Sequence, residues 1–135
     1  MINGESLEET QGSFFFLFCR EEGEKMESKI IAVDFDGTLC TNCYPYIGDA
    51  NLILIDYLKI QKENGSKIIL WTCRAGQLLD DAVTWCKKQG LTFDAVNENL
   101  PEIIETFGSD TRKIFANEYI DDLASSKFNL PYIKC

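Results

Sequence analysis

The run Ile30-Ile31-Ala32-Val33 passes without interruption into Asp34-Phe35-Asp36-Gly37-Thr38-Leu39, and this junction constrains the chain more than any other. A short β-branched run reads as a strand buried in a sheet. Here it feeds an acidic turn. Side chains two residues apart on a strand share a face, so Asp34 and Asp36 begin on one side, at the carboxyl end of the strand. Two carboxylates held close repel each other unless a cation or a shared proton separates them. An acidic surface turn is the plain alternative, but a solvated turn does not require this order of residues on a buried strand.

The remainder alternates strand and helix. The first strand is predicted at about 29–35. A helix follows at about 49–64, with Asp49 as N-cap and Gly65 as its stop. The second strand, about 67–72, ends in Thr72-Cys73-Arg74. Leu79, Ala82, Val83 and Cys86 recur at i, i+3, i+4 and i+7, the stripe of a helix over about 77–89 packed on a sheet. A third strand is expected at about 92–96, and a short helix at about 101–107 with Pro101 in its first turn. A fourth strand leads through Glu118-Tyr119-Ile120 into Asp121-Asp122, and 130–133 reads as a fifth. Such alternation implies a mostly parallel central sheet covered on both faces, an α/β Rossmann-like three-layer sandwich. Ligands of such sheets bind at the carboxyl ends of the strands. Trp71 is expected in the core and Trp85 partly exposed. Glu63, Glu98, Glu102, Glu105 and Glu118 are expected to be solvated.

With these residues assembled, the chain from about Lys29 onward resembles the haloacid dehalogenase (HAD) superfamily of phosphohydrolases, and most closely its small, capless bacterial and phage members. The motif Asp-x-Asp-Gly-Thr is matched at 34–38, the strand ending in Ser or Thr at Thr72, and the strand ending in an acidic pair at Asp121-Asp122. The motif lysine is best matched by Lys113. The resemblance implies a HAD-type fold and a Mg²⁺-dependent phosphohydrolase acting on a phosphate monoester. Asp34 is then the nucleophile that forms an aspartyl-phosphate, and Asp36 the general acid and base. Mg²⁺ is held by the Asp34 carboxylate, the Asp36 carbonyl and Asp122, with Asp121 behind them. Thr72 and Lys113 contact the phosphoryl group. Arg74 is a further phosphate contact, with a surface salt bridge as its alternative. About a dozen residues separate Asp36 from the first helix, and helix, strand and short helix fill the forty between Thr72 and Lys113. Neither interval holds a cap domain, so the site is expected to be open, with Tyr44-Pro45-Tyr46 on a small flap as its only local lid.

Composition bounds the partners. One domain fits 135 residues. Residues 1–28 hold two basic and seven acidic residues, −5 of a net charge of −9. This acidic excess argues against a large nucleic-acid footprint and leaves a small phosphorylated substrate open. Residues 1–25 are expected to be an extension, or to precede the biological start at Met26, with the hydrolase domain at 26–135. The apolar stretch Ser13–Cys19 is far shorter than the roughly 20 residues of a membrane span, and its acidic flanks do not suit a targeting peptide. The expectation is a cytoplasmic protein with reduced cysteines and no membrane partner, in which another subunit could cover the open site. Cys40-x-x-Cys43 has metal-ligand spacing, but the chain has no histidine and no second such pair.

Four rival readings follow from the same residues. A two-component receiver domain uses similar groups, but there the acidic pair follows the first strand; here it closes the fourth. A dehalogenase shares the nucleophilic Asp but does not need Asp36. A phosphatase of nucleic-acid ends keeps the chemistry and changes the substrate. A non-catalytic phosphate- and Mg²⁺-binding module keeps the fold alone.

Overall fold

The structure, a computed structural model, describes residues 28–124. The first 27 residues and the fifth strand expected at 130–133 lie outside the described residues. Four strands, β1 (Ile30–Val33), β2 (Lys67–Leu70), β3 (Ala95–Val96) and β4 (Glu118–Ile120), form one sheet in the order β3-β2-β1-β4. Every pairing is parallel. Three helices connect them: α1 (Leu52–Glu63), α2 (Gly76–Lys88) and α3 (Pro101–Phe107). The protein is an α/β Rossmann-like domain, as the alternation of elements requires.

The strand period sorts the core into two layers. Ile31, Val33, Ile68 and Leu70 face α1 and α2, where they meet Ile55, Leu58, Ala82 and Cys86. Ala32 and Ile69, one residue out of phase, face the other way and pack with Leu100, Ile114 and Ala116, with Ile103 of α3 against them. Residues i and i+1 of a strand point to opposite faces, so the buried runs Ile31–Val33 and Ile68–Leu70 of the two central strands are apolar without a break and serve both layers. The stripe predicted on α2 lies in the first layer, with Ala82 and Cys86 fully buried and Leu79 and Val83 partly so.

Residues 39–50 form a flap instead of the start of a helix. Cys40 bridges antiparallel to Ala50, Thr41 N–H donates to the Asp49 carbonyl (2.9 Å), and Asp49 N–H donates to Thr41 Oγ1 (2.8 Å). Asp49 is therefore committed to the flap, and the N-cap of α1 is Asn51, whose Oδ1 accepts from Leu54 N–H (3.2 Å). A Cβ on Gly48 would overlap Thr41 Oγ1, so only glycine closes the flap this tightly. The intervals 39–51 and 73–113 hold this flap, α2, β3 and α3, and no cap domain among the described residues. None of the described helices is long and apolar enough to cross a membrane.

Three expectations are corrected. Trp71 lies past the end of β2, is 38% exposed and packs against Tyr119 at 5.8 Å. Glu118 is paired with Lys29 Nζ (2.9 Å) and accepts from the Tyr57 hydroxyl (3.0 Å), which joins β4 to α1. Cys43 is disulfide-bonded, whereas Cys40, Cys73 and Cys86 are free thiols. Trp85 is partly buried, edge-on to Phe35.

Asn51 also donates through Nδ2 to the Thr38 carbonyl (2.9 Å), tying the start of α1 to the acidic turn. Asn51→Ala loses both bonds and is expected to cost about 1–2 kcal/mol, while Asn51→Asp keeps the cap and loses only the tie. Denaturant unfolding of the parent and the two variants checks this: Asn51→Asp as stable as the parent would mean that the bond to Thr38 contributes nothing, and equal stability of the two variants that the cap contributes nothing.

Candidate active site

Strand register builds the site. Val33 pairs with both Leu70 and Ile120, and Asp34 N–H donates to the Ile120 carbonyl (2.9 Å). The residues just past the three strand ends are thus Asp34, Trp71 and Asp121, side by side. Carboxylate oxygens of Asp34, Asp121 and Asp122 all lie within 4.8 Å of one another. Asp121 was expected to stand behind Asp122, yet both reach the cluster. No histidine or cysteine joins them, and Cys40-x-x-Cys43 forms no such group among the described residues.

The turn after β1 is shaped to admit Asp122. Thr38 and Leu39 N–H groups both donate to the Phe35 carbonyl (3.1 and 2.9 Å). Gly37 sits at φ +86°, and a Cβ there would overlap Asp122 Oδ2, so the motif glycine is required by conformation and by space. The Thr38 hydroxyl accepts from Asp122 N–H (3.0 Å) and lies 3.3 Å from Asp34 Oδ2 and 3.4 Å from Asp122 Oδ1. It bridges the two acids.

Like charges at this range set the electrostatics. Burial, then the charge of Asp121, pushes the Asp34 carboxyl up to about 7, with a smaller push from Asp122. The Phe35 N–H and the Thr38 hydroxyl pull the other way. Asp122 is also raised, by burial first and then by its hydrogen bond to Asp121. Three clustered carboxylates are a set of hard oxygen donors, the donor type that Mg²⁺ takes.

The other predicted residues are placed differently from one another. Thr72 lies two residues past the end of β2, with its N–H on Asn97. Its hydroxyl oxygen accepts from Arg74 N–H (3.1 Å), which leaves its single O–H free to donate. Arg74 is neither a free phosphate contact nor a surface ion. It is 2% exposed, and it grips the Asp36 carboxylate through Nε–Oδ2 and Nη2–Oδ1 bonds of 2.8 Å each. Asp36 therefore points at Arg74 and is not part of the Asp34 cluster. Lys113 is exposed, and no ion pair joins it to the acids among the described residues.

Two residues were not singled out by motif. Asn97, at φ +54°, accepts from Thr72 N–H through Oδ1 (2.8 Å) and so fixes the end of β2. Asn99 is buried, donates to Asp110 and to Thr111, and accepts from Phe115 N–H (2.7 Å), holding the loop that carries Lys113. The only signal in the sequence was Asn after a strand, a residue that tolerates the left-handed region.

Fold and site define an α/β Rossmann-like domain with an acidic cluster at the carboxyl ends of adjacent parallel strands. No protein-family model matches the chain, and no curated protein does. A solved structure of a conserved protein encoded by a locus of Bacteroides thetaiotaomicron is 38% identical, over 78% of this chain and 83% of that one, with a TM-score of 0.66. The chain belongs to the family of that conserved protein.

The cluster sets a pH dependence. An Asp34 carboxyl near 3.8 unfolded and about 7 folded binds a proton in the folded state that the unfolded state lacks between those values. Metal-free stability must then fall as pH rises through that window. The chain has no histidine, so no other side chain ordinarily titrates between pH 5 and 8. In chelator, the melting temperature is expected to drop from pH 5 to pH 8, and Asp121→Asn to flatten the drop by stabilising the protein at pH 8. An unchanged slope in Asp121→Asn would show that the two acids do not interact.

Proposed function

We propose that the protein is a Mg²⁺-dependent phosphohydrolase that acts on a phosphate monoester through an aspartyl-phosphate on Asp34. The observation that carries this reading is the meeting of Asp34 with Asp121 and Asp122 at the ends of β1 and β4. A buried carboxylate pushed up by two neighbouring acids is relieved by a cation, and the motif resemblance supplies a use for it.

Asp34, Asp121 and Asp122 would hold Mg²⁺, with the Asp36 carbonyl as a fourth donor. When bound, the ion neutralises charge on the carboxylates and on a dianionic phosphate. An Asp34 oxygen then attacks phosphorus as the bond to the leaving oxygen breaks. Asp36 would give a proton to that oxygen once its carboxyl turns out of the Arg74 fork, which holds both of its oxygens here. Water next attacks the phosphorus of the aspartyl-phosphate, returns a proton to Asp36, and frees Asp34 and inorganic phosphate. The free O–H of Thr72 donates to a phosphoryl oxygen. Lys113, exposed in the loop before β4, would have to turn towards the phosphate to supply charge.

A cleft of about 370 Å³ opens from Gly37 and Thr38 and runs past Thr41 to Leu52 and Ile53 at the start of α1. Its lining has one charged residue, Asp49, and no lysine or arginine. Asp34, Asp36 and the two flap tyrosines are not among its walls, so the cleft does not by itself fix the place of the leaving group.

The expected result is hydrolysis of an aryl phosphate that is lost in chelator and restored by Mg²⁺. Asp34→Asn is expected to abolish turnover, and Asp36→Asn to reduce it by about 10²–10⁴, the usual weight of a positioned acid or base. Phosphate release measured for each variant decides the matter. Turnover that survives in chelator, or in Asp34→Asn, rules this mechanism out.

A further inference from the structure

Arg74 sits where the acidic turn, the flap and α2 meet. Four of its five N–H groups have partners: two on Asp36, one on the Tyr46 carbonyl (2.9 Å) and one on the Leu78 carbonyl (3.4 Å). The guanidinium is also stacked between rings, 4.9 Å from the centre of Phe35 and 5.2 Å from that of Tyr44. Tyr44 and Tyr46 are 58% and 77% exposed on their outer sides. A single buried cation thus touches the second acid of the turn and the flap at two points.

Stability is a poor explanation for this arrangement. A buried ion pair returns little over well-packed apolar side chains of the same volume. What a planar fork gives, and an apolar side chain cannot, is a fixed direction for a carboxylate. We propose that Arg74 is a positioning residue that joins the flap to Asp36, so that a leaving group lying against Tyr44 and Tyr46 sets the aim of the Asp36 carboxyl. The inference rests on the phosphohydrolase reading for the role of Asp36. The link between Arg74, flap and Asp36 does not.

Proton transfer to the leaving oxygen matters most when that oxygen is a poor leaving group. Nitrophenolate departs almost unaided, whereas an alkoxide must be protonated as its bond to phosphorus breaks. Loss of aim at Asp36 therefore penalises alkyl phosphates selectively. A loss of packing lowers turnover of every ester alike.

The test uses the full chain with Arg74→Lys, Arg74→Gln and Asp36→Asn, on phosphate monoesters whose leaving groups range from nitrophenol to a simple alcohol. Arg74→Lys keeps the charge and loses the fork, which guards against a variant that fails to fold. It is expected to lose kcat on the alkyl ester by at least about tenfold and on the nitrophenyl ester by less than about threefold, a part of the proton-transfer effect. Its leaving-group dependence then steepens towards that of Asp36→Asn. Amide hydrogen exchange over residues 41–48 is expected to speed up in all three variants. A uniform loss across the esters, or flap exchange in Arg74→Lys equal to that of the parent, overturns the inference. If the parent hydrolyses none of the esters, the phosphohydrolase reading fails and exchange alone decides: faster flap exchange in Asp36→Asn sustains the link, and unchanged exchange removes it.

Discussion

The parallel pairing of β4 with β1 is the constraint on which the site depends. Val33 opposite Ile120 leaves Asp34 opposite Asp121, and no choice of rotamer undoes that neighbourhood. The register is held by the core. Ile31 and Val33 serve one layer and Ala32 the other, so a slip by one residue would drive large side chains into the layer built for a small one. Apolar packing thus forces like charges together at the solvent end of the sheet. Burial first, and then those neighbouring charges, raise the Asp34 carboxyl.

Around that pair the turn is built by exclusion and by shared hydrogen bonds. Gly37 leaves the room that Asp122 fills, and Thr38 bridges Asp122 to Asp34. Asn51 carries the same ties onward to α1. Asp36, only two residues from Asp34, belongs to a different unit, because Arg74 takes both of its oxygens. The two acids of one motif are split between the acidic cluster and a buried guanidinium. The flap touches the second unit, through Tyr44 and Tyr46.

Much of this was legible in the chain. The ends of β1 and β4, marked by Asp34 and Asp121, were readable because burial stops where the polar residues begin, whereas β2 ends at Leu70, before the exposed Trp71 and the half-buried Thr72. The α2 stripe was readable by its period. The errors share a cause. Asp49 has the chemistry of an N-cap and lost the position to Asn51 because the flap claimed its backbone. Glu118 has the chemistry of a solvated charge and is paired because β4 lies beside Lys29 and Tyr57. Asn97 and Asn99 carried no periodic or motif signal at all.

By itself the sequence determined the alternation of elements, the parallel sheet that follows from it, and the presence of acids at strand ends, since these depend on local period and on which residues can be buried. Only the tertiary structure decided which acids meet. The partners Asp34–Asp121, Arg74–Asp36 and Asn97–Thr72 are separated by many residues and joined by strand register and loop path. Register is set by the whole core at once, through packing that no single segment contains.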